Sequence, residues 1–226
     1  PIFEPSVRKL GEIQAVGFYA GFAEDAFLPG ETDVLGEVIS LLSELWLFPA
    51  TRGGLFLPAY VDSEREQLVE RIERVKIDKR SWAFRRLREN MCAYEDYATG
   101  AYGTADEAGS IHYVKLTKHY KELLAVSPME IFYCGSRPGK EVAAMLREAF
   151  ALLPRGEIDL DLGTDIRMNA VEENPRYFTE EDEISQGVLA VGFRLGECMD
   201  DPDPAKLAVF NAVYGAGVTS KLFQNV

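Results

Sequence analysis

The chain has 226 residues, of which 47% are hydrophobic and 11% aromatic, enough to build a real core in one large domain or two small ones. Its 24 Lys and Arg against 37 Asp and Glu give a net charge of −13, with the cations scattered among the acids. Nucleic acids and anionic membranes both demand basic patches, so neither is expected as a partner.

Residues 12 to 28 mix aromatic and aliphatic side chains with single glycines, which predicts one long strand that bends or packs closely on another backbone, ended by Pro29-Gly30. Thr32 and Asp33 are placed to cap a helix from Val34 to Phe48. That helix is apolar nearly all round (Val34, Leu35, Val38, Ile39, Leu41, Leu42), so it is expected to be central and covered on most sides. Pro49 stops it, and Thr51-Arg52-Gly53-Gly54 reads as a turn. A helix from Leu57 to Val75 follows, with Pro58 as a good first helical residue and Val61, Leu68, Ile72 and Val75 as one apolar stripe.

Asp78-Lys79 interrupts that stripe, and Trp82, Phe84, Leu87 and Met91 resume a helical pattern with Arg85, Arg86 and Arg88 on its exposed side. Tyr94 to Gly103 reads as a loop and Thr104 to Ile111 as a short capped turn. A helix over about 114 to 126 leads through Ser127-Pro128 into a short apolar strand, Glu130 to Cys134. Gly139 to Leu153 is a further amphipathic helix. The acidic, aperiodic stretch 155–174 reads as a linker between residues 1–154 and 175–226. Beyond it, Ile184 to Leu195 is strand-like, Asp203-Pro204 starts a helix that Gly215 and Gly217 end, and another begins near Ser220. The tetrapeptide Ala-Val-Gly-Phe occurs at 15–18 and again at 190–193, a weak sign of internal duplication.

One carboxylate stands out. Glu64 falls three residues after Val61 and four before Leu68, which places it on the apolar stripe of its helix. A carboxylate there needs a partner. Either it bends out to solvent or pairs with Arg65, Arg71 or a cation from another segment, or it is a metal ligand or acid/base group with companions elsewhere. The two histidines, His112 and His119, are seven apart and belong to neither H-x-x-E-H nor H-E-x-x-H; with Glu122 they form at most a loose zinc constellation. Cys92, Cys134 and Cys198 show no C-x-x-C spacing, which fits a reducing compartment. No nucleophile elbow, Walker loop or dinucleotide fingerprint is present, so this chain by itself lacks a complete catalytic set. Without an export signal or eighteen consecutive apolar residues, a cytoplasmic protein is expected. Because it starts at Pro1 and stops at Val226, just inside a helix start, it is expected to be a piece of a longer protein.

The segment Val61-Asp62-Ser63-Glu64-Arg65-Glu66-Gln67-Leu68 resembles the one that supplies the third metal ligand in the insulinase/pitrilysin family of zinc metallopeptidases, the inverzincins. Met91-Cys92, the Tyr97, Gly103, Glu107 and Ile111 spacing, Phe132-Tyr133-Cys134-Gly135 and Gln186-Gly187-Val188 resemble other family segments in family order. So does Gly215-Ala216-Gly217-Val218-Thr219-Ser220-Lys221-Leu222-Phe223. Arg80-Ser81-Trp82 and Glu95-Asp96-Tyr97 are most similar to a bacterial branch that has lost H-x-x-E-H and is thought to accompany an active paralogue, as the inactive alpha subunit does in mitochondrial processing peptidase.

That resemblance implies an α+β fold with a mostly antiparallel sheet packed against helices, a duplicated α/β roll. Residues 1–154 would be the latter part of a first peptidase-like domain and 175–226 the opening of a second. It implies a non-catalytic peptide-binding or scaffolding protein, partnered by a catalytic paralogue or a second copy, with a peptide or protein as substrate. The alternative is a zinc metalloendopeptidase whose H-x-x-E-H lies upstream and whose metal Glu64 helps to hold. Zinc is expected only in that second case, and none for this chain alone. Glu64→Leu is accordingly expected to cost little or to help, by completing the stripe.

Overall fold

The computed structural model describes residues 2–30, 32–160, 163, 165–167, 174–183, 185–194 and 204–225. The chain divides into two compact units, Pro1–Asp165 and Ile166–Val226.

The first unit opens with an antiparallel hairpin of β1 (Ile2–Leu10) and β2 (Ile13–Gly21), in register from Ile2 opposite Gly21 to Leu10 opposite Ile13. Gly11, at φ +63°, supplies the left-handed backbone that the two-residue turn needs at its first position. The single strand expected over 12–28 is therefore nine residues long, paired with a strand before it, and followed by a 3₁₀ turn at Asp25–Phe27. Helix α1 (Val34–Leu47) starts at Asp33, whose carboxylate accepts from Gly36 N–H at 3.1 Å. Gly36 leaves the room that this carboxylate occupies.

A second hairpin, β3 (Thr51–Arg52) with β4 (Leu55–Phe56), turns through Gly53 and Gly54 at φ +62° and +75°, where two left-handed residues match the strand twist. Then come α2 (Pro58–Arg74) and α3 (Lys79–Met91), the latter capped by Asp78 accepting from Arg80 and Ser81 N–H. A 3₁₀ turn at Asp96–Ala98 precedes α4 (Ala105–Gly109), where Thr104 and Glu107 form a reciprocal capping box. Helices α5 (Tyr113–Val126) and α6 (Gly139–Ala149) complete the unit. After α6 the chain returns over the C-terminal end of α5. There Gly156 and Asp159 N–H donate to Ala125 and Val126 carbonyls, and Arg155 donates to those of Leu124 and Ser127, so carbonyls that a helix end leaves open are satisfied.

The core sits where α1 meets α6. Leu35, Ile39 and Val142 are buried there, with Phe22, Tyr133, Met145 and Leu146 packed around them. Arg137 clamps the same junction, donating to Asp25 at 2.8 Å and Asp33 at 2.6 Å, while Ser136 N–H donates to Glu24. Asp25 also accepts from Val34 N–H. That bond, then Arg137, outweighs the opposing effect of burial and holds the Asp25 carboxyl below its ordinary range. Phe18 stacks on Phe3 and meets Trp46 edge-on at 5.6 Å, which seats the hairpin on α1.

In the second unit, α7 (Pro204–Tyr214) ends before Gly215 and Gly217, and α8 (Lys221–Asn225) is capped by the buried Ser220, whose hydroxyl accepts from Phe223 N–H. Asp203, the expected cap of α7, lies outside the described residues, as does most of the 155–174 stretch beyond 160.

Mixed helices and small antiparallel sheets agree with the expected α+β class. Three local expectations fail. Residues 130–134 and 185–194 form no strand, because no neighbouring strand among the described residues supplies ladder partners; Phe132 and Leu189 stand 94% and 87% exposed. Ile184 and Leu195, the expected ends of the later strand, are outside the described residues. Helix α1 buries only Leu35 and Ile39 and leaves Leu41 and Leu45 exposed, because α6 and the hairpin cover it on limited sides.

Ile39→Ala is expected to lower stability by about 2–5 kcal/mol, read from the urea midpoint at unchanged slope. A carboxylate with a lowered pKa stabilises fully above its unfolded value and loses that contribution as pH falls through its folded one. Asp25→Asn should therefore lower the urea midpoint at neutral pH and flatten its decline below about pH 4.

Candidate functional site

Helix α2 carries the residue singled out from the sequence. At about 100° per residue, Arg65, Leu68 and Ile72 lie within about 40° of Val61, whereas Glu64 lies about 60° off on the far side from Ile72. The inward face is accordingly Val61, Arg65, Leu68, Val69, Ile72 and Val75, all buried or half-buried. Glu64 is exposed, and it makes no hydrogen bond or ion pair with any described residue. The expectation that Glu64 points inward is thus corrected: the stripe is centred about 60–80° round the helix from it, and Arg65 holds the charged place on the dry side. Arg65 manages this by running its apolar stem along the stripe, donating to the Ile111 carbonyl at 3.1 Å and pairing with Asp62 at 2.8 Å. Sequence reasoning missed it because an arginine on a stripe looks like surface charge.

The loose histidine constellation does not assemble. His112 is the N-cap of α5, its Nδ1 accepting from Val114 N–H, His119 is exposed, and Glu122 pairs with Lys118 at 3.4 Å. Cys92 is buried and Cys134 exposed; Cys198 lies outside the described residues. Among the described residues, no three His, Cys, Asp or Glu side chains group to hold a metal. A zinc site takes three or four such donors, so the described residues do not fit one, and Glu64 contributes at most a single ligand.

Arg85, Arg86 and Arg88 of α3, expected on its exposed side, are instead half-buried over aromatic rings. Arg85 and Arg86 lie 5.7 and 5.8 Å from the Trp82 ring, and Arg88 lies 6.0 Å from that of Tyr97. Arg85 and Arg86 converge on Glu89 at 2.7 and 2.5 Å. Burial tends to raise the Glu89 pKa, and the two arginine hydrogen bonds overcome it, leaving the carboxyl below its ordinary range. Glu95, 7% exposed, is a buried carboxylate just after α3 that no periodicity could have flagged, since it sits in a loop.

The β1–β2 hairpin has two unlike faces. Phe3 and Phe18 face α1, and Lys9 and Gln14 on the same face donate to the carbonyls of Asp96 and Ala101. The opposite face presents Ile2, Glu4, Arg8 and Leu10 of β1 and Ile13 and Tyr19 of β2 to solvent around the small residues Ser6, Ala15 and Gly17. Neither strand has a second ladder partner among the described residues.

Residues 110–226 match the family profile of the peptidase M16 inactive domain. Over 222 residues the chain is 29% identical to the "Probable inactive metalloprotease YmfF" of Bacillus subtilis (strain 168), covering 97% of this chain and 51% of that protein. A crystal structure of a conserved protein from Enterococcus faecalis V583 has the same fold, with a TM-score of 0.74 at 23% identity over 99% of this chain and 52% of that one. The chain spans about half the length of the relatives it matches.

Glu64→Leu is expected to move stability by no more than about 0.5 kcal/mol, as for other exposed substitutions, whereas Arg65→Met should cost about 1 kcal/mol by stranding the Ile111 carbonyl. Paired urea titrations of the two variants check the ranking.

Proposed function

The chain belongs to the peptidase M16 family, and from that membership we propose that it works as part of a non-catalytic peptide-binding or scaffolding protein. The observation that carries the reading is the likeness of 97% of this chain to 51% of a protein named as a probable inactive metalloprotease. The peptide would add as a strand to the β1–β2 hairpin, where backbone hydrogen bonds give affinity and the mixed apolar and charged side chains of the open face give preference. The protein's companion would be a catalytic paralogue in a heterodimer, or a second copy of itself, in the cytoplasm. No helix among the described residues is long and apolar enough to cross a membrane.

The test uses the purified full-length protein that contains this chain, loaded with zinc and dialysed, then offered an unstructured peptide. The expected result is sub-stoichiometric metal, no cleavage products by mass spectrometry, and slowed amide exchange in 2–21 on adding peptide. One zinc held per chain and lost on Glu64→Gln, or any cleavage, overturns the non-catalytic reading; unchanged exchange in the hairpin overturns the peptide site.

A further inference from the structure

An open groove of about 560 Å³ lies between the end of α1, the β3–β4 hairpin, α5 and the stretch after α6. This is within the range that takes a small organic ligand. Its walls are apolar: Leu47, Phe48, Phe56, Leu124, Leu152 and Pro154. Two of them, Phe48 and Leu152, stand 64% and 73% exposed, so the groove is open to solvent along that side.

The polar groups of the lining are mostly engaged. Thr117 Oγ1 accepts from Phe56 N–H at 3.0 Å and donates to the Tyr113 carbonyl at 2.7 Å. Tyr120 donates to the Trp46 carbonyl, and burial pushes its phenol pKa up, so it stays neutral. Lys121 differs. Its ammonium donates to the Gly54 carbonyl at 3.0 Å and has no carboxylate partner among the described residues, since Glu122, next along α5, is held by Lys118. An ammonium has three donors, so two remain for a ligand.

We propose that this groove binds an amphiphile with an apolar body and a single carboxylate head, of the fatty-acid class, its head on Lys121 and its body over Phe48 and Leu152. The charge decides the class. A neutral hydrocarbon leaves the Lys121 donors unused, a cationic amphiphile meets a like charge, and a polyanion finds one ammonium in a chain of net charge −13. The site is separate from the hairpin of the proposed peptide function, so either can fail alone.

The experiment is isothermal titration calorimetry of the chain with dodecanoate, kept below its micelle concentration. One saturable site per chain is expected, with dodecanol binding more weakly. Lys121→Glu should weaken dodecanoate by about tenfold or more, and Lys121→Arg should retain it. Leu152→Trp, a change at an exposed position that should leave the fold intact by circular dichroism, should block the groove and abolish binding. Absence of a saturable site, or binding unaffected by Leu152→Trp, overturns the groove as the site. Equal affinity for dodecanol, or no loss in Lys121→Glu, overturns the carboxylate as the recognised head.

Discussion

The Arg137 guanidinium is the interaction on which the arrangement of the first unit depends. It reaches across more than a hundred residues of sequence to Asp25 and Asp33, and so holds the exit of the β1–β2 hairpin, the start of α1 and the start of α6 at one point. The small apolar core of Leu35, Ile39 and Val142 lies directly beneath. Packing of so few side chains does not by itself fix how two helices cross; one guanidinium nitrogen, Arg137 Nη2, donating to two separate carboxylates adds direction. Asp33 serves twice, as helix cap and as half of this grip, and Asp25 serves twice, accepting from Val34 N–H as well.

Local chemistry was the legible part. Pro58, Asp33, Asp78, the Thr104 and Glu107 pair and the Gly53-Gly54 turn all sit where residue type alone would put them, because each satisfies backbone groups within a few positions of itself. Strands were illegible for the opposite reason. An apolar stretch such as 130–134 becomes a strand only when another segment offers its backbone, and no pattern within five residues records whether one does. β1 went unseen because Glu4, Pro5, Arg8 and Lys9 break its alternation, although its partner β2 was visible.

The site was legible as a place and wrong in its orientation. Spacings of three and four both mark one helical face, and the true stripe runs through Val61, Arg65 and Ile72, so the acid at 64 is shouldered out to water. Hydrocarbon stems make the difference: three methylenes before the guanidinium let an arginine occupy a dry position and still deliver its charge to a carbonyl, while a glutamate has too little reach. Membership of a peptidase family therefore sits beside a described set of side chains that does not compose a metal centre.

The doubled duty of Asp33 also closes off an otherwise cheap route to a sturdier protein. A glycine within a helix is the usual candidate for replacement by alanine, which gains about 1 kcal/mol where nothing is in the way. At Gly36 a methyl group would collide with the Asp33 carboxylate, and that carboxylate is not at liberty to swing aside, being gripped from the other end of the unit. Selection on the first turn of α1 is thereby tied to selection on a loop a hundred positions further along.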